Sequence, residues 1–431
     1  MTSGEVVSAP APELAGRGWL ASTKLLTAAV LLGCGVRILS ILLLHRSGAS
    51  YPDEDAYWAI AGRILDGQGL SLGHDAFDGL VEAGKPTAYF GAFPLFLTPL
   101  YKLVGGSLLA GRLILSTISW LALSWGIRRY GREVFSPRVA LVAVLWAGVH
   151  PNLVFLGSWV MTESVYLPLA VIVLLMGRFA AASTWAACAT GLAYGLAHLT
   201  RLNLLLFQPL HAVSLLLRGG VRRAVRPVAI SLLATGITVG PWLVRNYLEF
   251  GEPVFETKSG LNLLLMNNPL HQKPILQEDF SAGVSIEPMP GLNEAQKSSR
   301  LRSEFYGFVR EHPKDYLRLC GARFLNAFAL LPTYTRIPGS VKWAVMAYNG
   351  VLYGLFLIGL ARAAGRRDLS ELTLLCVYCA AWVTLTNASM RHRVTMEPAM
   401  LLLASWSITD FARHVARRLP WARPEIESGE R

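Results

Sequence analysis

The chain has 431 residues, 53% of them hydrophobic and only 16% charged, with a formal net charge of +12. A soluble domain carries about 25% charged residues, so the composition excludes a water-soluble globular enzyme and points to a protein dissolved mostly in lipid. The positive charge does not indicate nucleic acid as a partner, because Lys and Arg fall in short runs between apolar segments, the pattern of cytoplasmic membrane loops.

A membrane-spanning helix needs about 20 mostly apolar residues. In chain order the sequence predicts about ten, over 24–44, 107–126, 138–156, 160–177, 184–201, 203–217, 227–244, 342–361, 370–387 and 395–412. The expected fold is therefore an all-α polytopic membrane protein. A cytoplasmic tail covers 1–23, a membrane domain 24–412 and a basic cytoplasmic tail 413–431. The first apolar run is too long for a signal peptide and no small-residue cleavage site follows it. Arg128, Arg129, Arg132 and Arg138 follow the second span, Arg178 the fourth, and Arg218, Arg222, Arg223 and Arg226 the sixth. Arg362, Arg366 and Arg367 follow the eighth, and Arg413, Arg417, Arg418 and Arg423 the tenth. All share the side of the N-terminus, which the positive-inside rule makes cytoplasmic.

Two long segments then lie outside, 45–106 and 246–341. In the first, Tyr57, Ile60, Ala61, Ile64 and Leu65 recur at helical spacing behind Asp53, Glu54 and Asp55. That predicts an amphipathic helix on the membrane surface, its acidic start favoured by the helix dipole. A second such helix is predicted over 93–103, kinked at Pro99. The other segment has a polar Pro/Gly-rich middle, 273–292, and an apolar stretch, 316–331, that carries Arg318 and Arg323. The latter reads as interfacial, with a membrane-inserted hairpin as the alternative. The tails 1–16 and 424–431 have the composition of disordered segments. Of the five cysteines, four lie in apolar segments, so no disulfide framework is expected. Cys376-x-x-Cys379 lies within a predicted span and reads as packing.

Charged groups gather at the outer ends of the spans. Asp53 and Glu54 open the first outer segment, which also holds Lys85 in Gly84-Lys85-Pro86. Glu163, in Met161-Thr162-Glu163-Ser164, sits in a tight outer turn. Arg201 and Arg245 end the fifth and seventh spans, and Arg391, His392 and Arg393 fall in the outer turn between the last two. No comparable acidic group is expected at the cytoplasmic face. Carboxylates beside hydrocarbon are costly and tend to mark function. Here they suit transfer of a sugar from a lipid phosphate to a hydroxyl or amine. The acceptor loses a proton as it attacks, which calls for a carboxylate base. The leaving phosphate needs cations. The candidate catalytic carboxylates are Asp53, as base, with Glu54 and Glu163. Lys85, Arg201, Arg245, Arg391 and Arg393 are candidates for the donor phosphate, and Tyr57 for a substrate contact. Plainer readings exist for each: snorkelling for the arginines, a solvated loop lysine for Lys85, a helix cap for Glu163 and an aromatic-belt anchor for Tyr57.

These motifs together resemble those of the GT-C glycosyltransferases that use a lipid-phosphate sugar donor. The similarity is greatest to bacterial relatives of the protein O-mannosyltransferases and to the lipid A aminoarabinose transferases, and it spans about residues 24–412. Asp53-Glu54-x-x-Tyr57 is similar to the acidic motif on the first outer loop, whose first Asp the resemblance marks as catalytic. Gly84-Lys85-Pro86, leading into Phe93-Pro94-Leu95-Phe96, resembles a lysine-proline segment that contacts the donor phosphate. Thr162-Glu163-Ser164 is similar to the second acidic site. Pro241-Trp242-x-x-Arg245-Asn246-Tyr247 and Arg391-His392-Arg393 through Glu397-Pro398 resemble the two arginine motifs. A single proline follows the lysine where two are common, and the chain ends soon after its last span. The resemblance implies an inverting transfer in the cytoplasmic membrane, with its site on the extracytoplasmic side. The partners it implies are a polyprenyl-phosphate-linked sugar and a lipid, glycan or protein acceptor. It names no certain cofactor and no metal ligand; since metal dependence varies in the superfamily, a divalent ion stays an open alternative.

Two other classes compete. A transporter or lipid flippase would place polar residues at mid-bilayer, whereas acidic residues are nearly absent from the predicted span centres. A ligase using a diphosphate-linked glycan would also use outer arginines but would not require the Asp53-Glu54 pair.

Overall fold

The computed structural model describes residues 17–49, 51–77, 79–267, 286–331, 339–386 and 390–418. The expected disordered tails, and 273–285 of the Pro/Gly-rich stretch, lie outside them. Among the described residues there is no strand, only two isolated bridges, Ser71 to Pro86 and Ala76 to Val81.

In chain order the helices are α1 (Arg17–Arg46), α2 (Pro52–Leu65), α3 (Phe93–Leu103), α4 (Leu108–Val134), α5 (Pro137–Val149), α6 (Pro151–Gly157), α7 (Thr162–Phe179) and α8 (Thr184–Thr200). There follow α9 (Phe207–Gly219), α10 (Val221–Phe250), α11 (Lys258–Met266), α12 (Glu294–Glu311), α13 (Pro313–Ala327), α14 (Gly339–Ala363), α15 (Ser370–Thr386) and α16 (Glu397–Arg418). Seven are long and apolar enough to cross a membrane, and eight if α5 and α6, bent by 59°, make one span. The expected ten are not reached on length and composition, for local reasons. Pro151 opens α6 and cannot continue the hydrogen-bond ladder of α5, α8 has only 17 residues, and α16 carries Asp410 and Arg413.

The bundle is held by apolar packing and a few buried charges. Gly191 and Gly195 of α8 lie against α10, where a Cβ on Gly191 would come within 2.2 Å of the Ser231 carbonyl oxygen. Small residues four apart let two helix backbones approach. Outward-facing Leu31 and Leu233, 64% and 66% exposed, mark a lipid-facing apolar belt. Cys376 and Cys379 are unpaired and buried in the main core. Glu371, at the start of α15, is fully buried. It accepts from Tyr130 Oη at 2.5 Å and pairs with Arg178 at 2.7 Å and Arg218 at 2.8 Å, tying α4, α7 and α9 to α15. This corrects the expectation that only the outer end carries an acidic group. The carboxylate is hidden in sequence because its cations come from other helices.

Helices form where the periodicity put them, as α2 and α3. They build a separate core with Trp159, Val160, Leu261 of α11 and Leu301 of α12. The stretch read as interfacial falls mostly in α13, which packs on α15; Arg323 is buried there, donating to the Leu385 carbonyl at 3.0 Å.

Candidate active site

The C-terminal end of α15, with Leu385 and Thr386, borders a cavity of about 400 Å³. It lies roughly 21 Å along the helix axis from Glu371. Five charged side chains from five elements form a chain of ion pairs at its wall. Lys258, the first residue of α11, pairs with Asp53 of α2 at 3.0 Å. Arg391, in the 3-10 segment Met390–Met396, holds the other Asp53 oxygen at 3.0 Å and Glu163 at 2.6 Å. Arg201, which ends α8, also pairs with Glu163 at 2.6 Å. Lys258, Arg201 and Arg391 line the cavity. Of the charged groups that line the cavity itself, three are cations and one, Glu256, is a carboxylate, which suits an incoming anion; Asp53 and Glu163 behind them bring the charges into balance.

Local sequence explains the placement. Pro52 starts α2 in its first turn, and Asp53, Glu54 and Asp55 follow where the dipole favours them. Tyr57, one turn after Asp53, shares its face, lines the cavity and packs edge-on against Phe90 and Phe93 at 4.7 and 4.9 Å. Burial works against ionisation of Asp53, but Lys258 and Arg391 outweigh it and hold the pKa at about 2. His392 also lines the cavity. Burial, with Arg201 and Arg391 nearby, keeps its pKa well below the usual histidine range, so the imidazole is neutral.

Of the candidates, Asp53, Glu163, Arg201, Arg391 and Tyr57 lie together here, and four others lie elsewhere. Glu54, one residue on, faces away from Asp53 and is fully buried. Arg112 of α4 binds it at 3.0 and 2.5 Å, and the Val160 amide donates to it at 2.6 Å. Lys85 is exposed and is not part of the cavity wall. Arg245 donates to the Thr87 carbonyl at 3.3 Å and to Asn246 at 2.7 Å, so it ties the Lys85 turn to α10. Arg393 is fully buried, donating to the Ala327 carbonyl at 2.9 Å, Tyr353 at 2.6 Å and Glu397 at 3.2 Å. A 3-10 helix has 3.0 residues per turn, so residues two apart, such as Arg391 and Arg393, face different sides.

Sequence reading missed Lys258 and Arg112. Arg112 carried a signal, since an arginine inside a predicted span needs a partner. Lys258 carried almost none, being one charge among many in a long mixed loop. Among the described residues no three His, Cys, Asp or Glu side chains converge as a metal-ligand set. Asp53 and Glu163 are engaged by cationic side chains, so in this arrangement they do not fit a divalent ion.

No protein-family model matches the chain, and comparison with curated proteins found no significant match. Solved structures do match its fold. The archaeal oligosaccharyltransferase AglB from Archaeoglobus fulgidus, in complex with an inhibitory peptide and a dolichol-phosphate, aligns with 96% of this chain. The TM-score is 0.55 at 15% identity, covering 53% of the AglB chain. The apo form of the Archaeoglobus fulgidus oligosaccharyltransferase gives 0.56 at 14% identity, over 95% of this chain and 53% of that one. The chain therefore spans about half the length of these proteins. ArnT from Cupriavidus metallidurans, bound to undecaprenyl phosphate, aligns with 95% of this chain and 82% of its own at 18% identity, with a TM-score of 0.43. The chain therefore has the fold of the membrane part shared with the archaeal oligosaccharyltransferase.

Proposed function

We propose that this protein transfers a sugar, with inversion, from a polyprenyl-phosphate donor to an acceptor hydroxyl or amine at the extracytoplasmic face of the cytoplasmic membrane. The observation that carries this reading is the ion-paired row Lys258, Asp53, Arg391, Glu163 and Arg201 at a cavity wall. The fold, shared with an oligosaccharyltransferase that holds dolichol-phosphate, supports a lipid-phosphate partner.

In this mechanism the donor phosphate enters among the three cations that line the cavity and draws Arg391, Lys258 and Arg201 toward itself. Asp53 loses its cations, and burial then raises its basicity. The acceptor's lone pair attacks the anomeric carbon. The bond from that carbon to the phosphate oxygen breaks, its electron pair passing to the lipid phosphate, and the acceptor proton goes to Asp53. Charge grows on the phosphate as the bond breaks, so the cations favour the transition state over the bound donor. Glu163 keeps Arg201 and Arg391 aimed at the phosphate. The membrane position follows from the one-sided arginine clusters.

The test is transfer of labelled sugar by purified protein in nanodiscs, across a panel of polyprenyl-phosphate and polyprenyl-diphosphate donors. Single-phosphate donors should support turnover, and Asp53→Asn should lower it roughly 100- to 10,000-fold. Turnover only with diphosphate donors, or full activity in the variant, would overturn the reading. Cysteine labelling in intact cells at Asp75, but not at Arg222, is expected from the proposed orientation.

A further inference from the structure

Glu256 differs from the other two carboxylates at the cavity, and its role rests on the glycosyl-transfer reading above. Asp53 and Glu163 are committed to cations. Glu256 lines the cavity itself, where Asp53 and Glu163 lie behind the lining cations, and its carboxylate forms no hydrogen bond or ion pair with any described residue. Its backbone is nonetheless fixed on both sides. Trp242 Nε1 donates to the Phe255 carbonyl at 2.8 Å, and the Thr257 amide donates to the Ala88 carbonyl at 3.2 Å. The Thr257 hydroxyl is bound by buried Glu294. Burial raises the Glu256 pKa above the usual carboxylate range, while Lys258 and Arg201 favour its charged form and Asp53 opposes it. A polar group held in place at a partly dry wall is costly until a ligand supplies its hydrogen bonds.

An ionised carboxylate only accepts hydrogen bonds. It repels a phosphate, so it does not serve the leaving group. It suits a ligand rich in donors. The flat rings of Tyr57, Phe90 and Tyr306 line the same cavity, and binding sites commonly combine an aromatic wall with a few fixed polar groups. We infer that Glu256 binds the hydroxyls of a sugar ring whose apolar face lies against these aromatics. The donor sugar and a glycan acceptor share this chemistry.

The experiment measures binding to the full-length protein in nanodiscs, with Glu256→Gln and Glu256→Asp compared to wild type after equal thermal stability is verified. The probes are a polyprenyl phosphate without sugar, the same lipid phosphate bearing a hexose, and a soluble oligosaccharide. Both variants should bind the sugar-free lipid phosphate within about twofold of wild type. They should bind a sugar-bearing probe about tenfold or more weakly, as for loss of a hydrogen bond to a charged group. Loss with the hexosyl lipid assigns the donor ring, and loss with the oligosaccharide assigns the acceptor ring. Glu256→Asp keeps the charge but withdraws the carboxyl, so its loss separates contact from bulk electrostatics. Equal weakening of sugar-free and sugar-bearing probes, or none in either, overturns the role of Glu256. Failure of the underlying reading has another signature: wild-type protein binding neutral polyprenol as tightly as polyprenyl phosphate, which overturns both.

Discussion

Asp53 and Glu163 share one guanidinium. Arg391 gives Nη1 to Asp53 at 3.0 Å and Nε to Glu163 at 2.6 Å, so two carboxylates on α2 and α7 meet through a residue near the C-terminus. A guanidinium has donors fanned in one plane and can hold two acceptors at once, which a lysine ammonium on a flexible stem does poorly. The arrangement gives the resting site a cation already aimed into the cavity.

Arg391→Lys is therefore expected to be a severe change although the charge survives. Turnover at saturating donor should fall roughly 100- to 1,000-fold, as for loss of an aligned transition-state donor. Turnover near wild type in a correctly folded Arg391→Lys protein would make Arg391 a simple charge anchor.

The pH dependence should differ between the free and donor-bound protein. Asp53 has its pKa depressed to about 2 by Lys258 and Arg391, so in the free protein it stays ionised throughout the accessible acid range. Donor phosphate competes for those cations and raises the Asp53 pKa in the complex. Activity needs the ionised form, so it is lost as pH falls. The acid limb of kcat, which reports the complex, should lie at higher pH than that of kcat/KM, which reports free protein. Coincident limbs would count against Asp53 as the base.

Lys258, not Lys85, is expected to serve the leaving group. Lys258 lines the cavity and touches Asp53, whereas Lys85 is exposed on its turn. Lys258→Ala should lower turnover at least about tenfold, and Lys85→Ala should change it less than about twofold. Single-turnover rates with saturating donor would decide, and the reverse order would return the phosphate contact to Lys85.

Glu54 and Arg112 form a stability element next to the site. Removing one partner of a buried ion pair leaves an uncompensated charge and costs about 3–5 kcal/mol. Glu54→Gln should lower the unfolding temperature markedly, and Glu54→Leu with Arg112→Met should recover much of the loss. Unchanged stability in Glu54→Gln, with lost turnover, would restore Glu54 to the chemistry.

The sequence by itself determined what depends on neighbours along the chain. Apolar run length set the all-helical membrane architecture, and period and acidic start set α2 with Asp53 and Tyr57 on one face. The motifs carried Glu163, Arg201 and Arg391 to the same end of the bundle. Tertiary structure decided which charges within each motif reach the cavity. Asp53 and Glu54 are adjacent, as are Arg391 and Arg393 but for one residue, yet one of each pair joins the ion-pair chain beside the cavity and the other is held by buried partners elsewhere. That division is set by helix phase against partners far away in sequence: Arg112 for Glu54, Ala327 and Tyr353 for Arg393. Lys258 and Glu256 acquire their roles the same way, because the fold lays the start of a long loop against α2. A charge's local pattern gives its side of the membrane. Its electrostatic partner is fixed only when the helices pack.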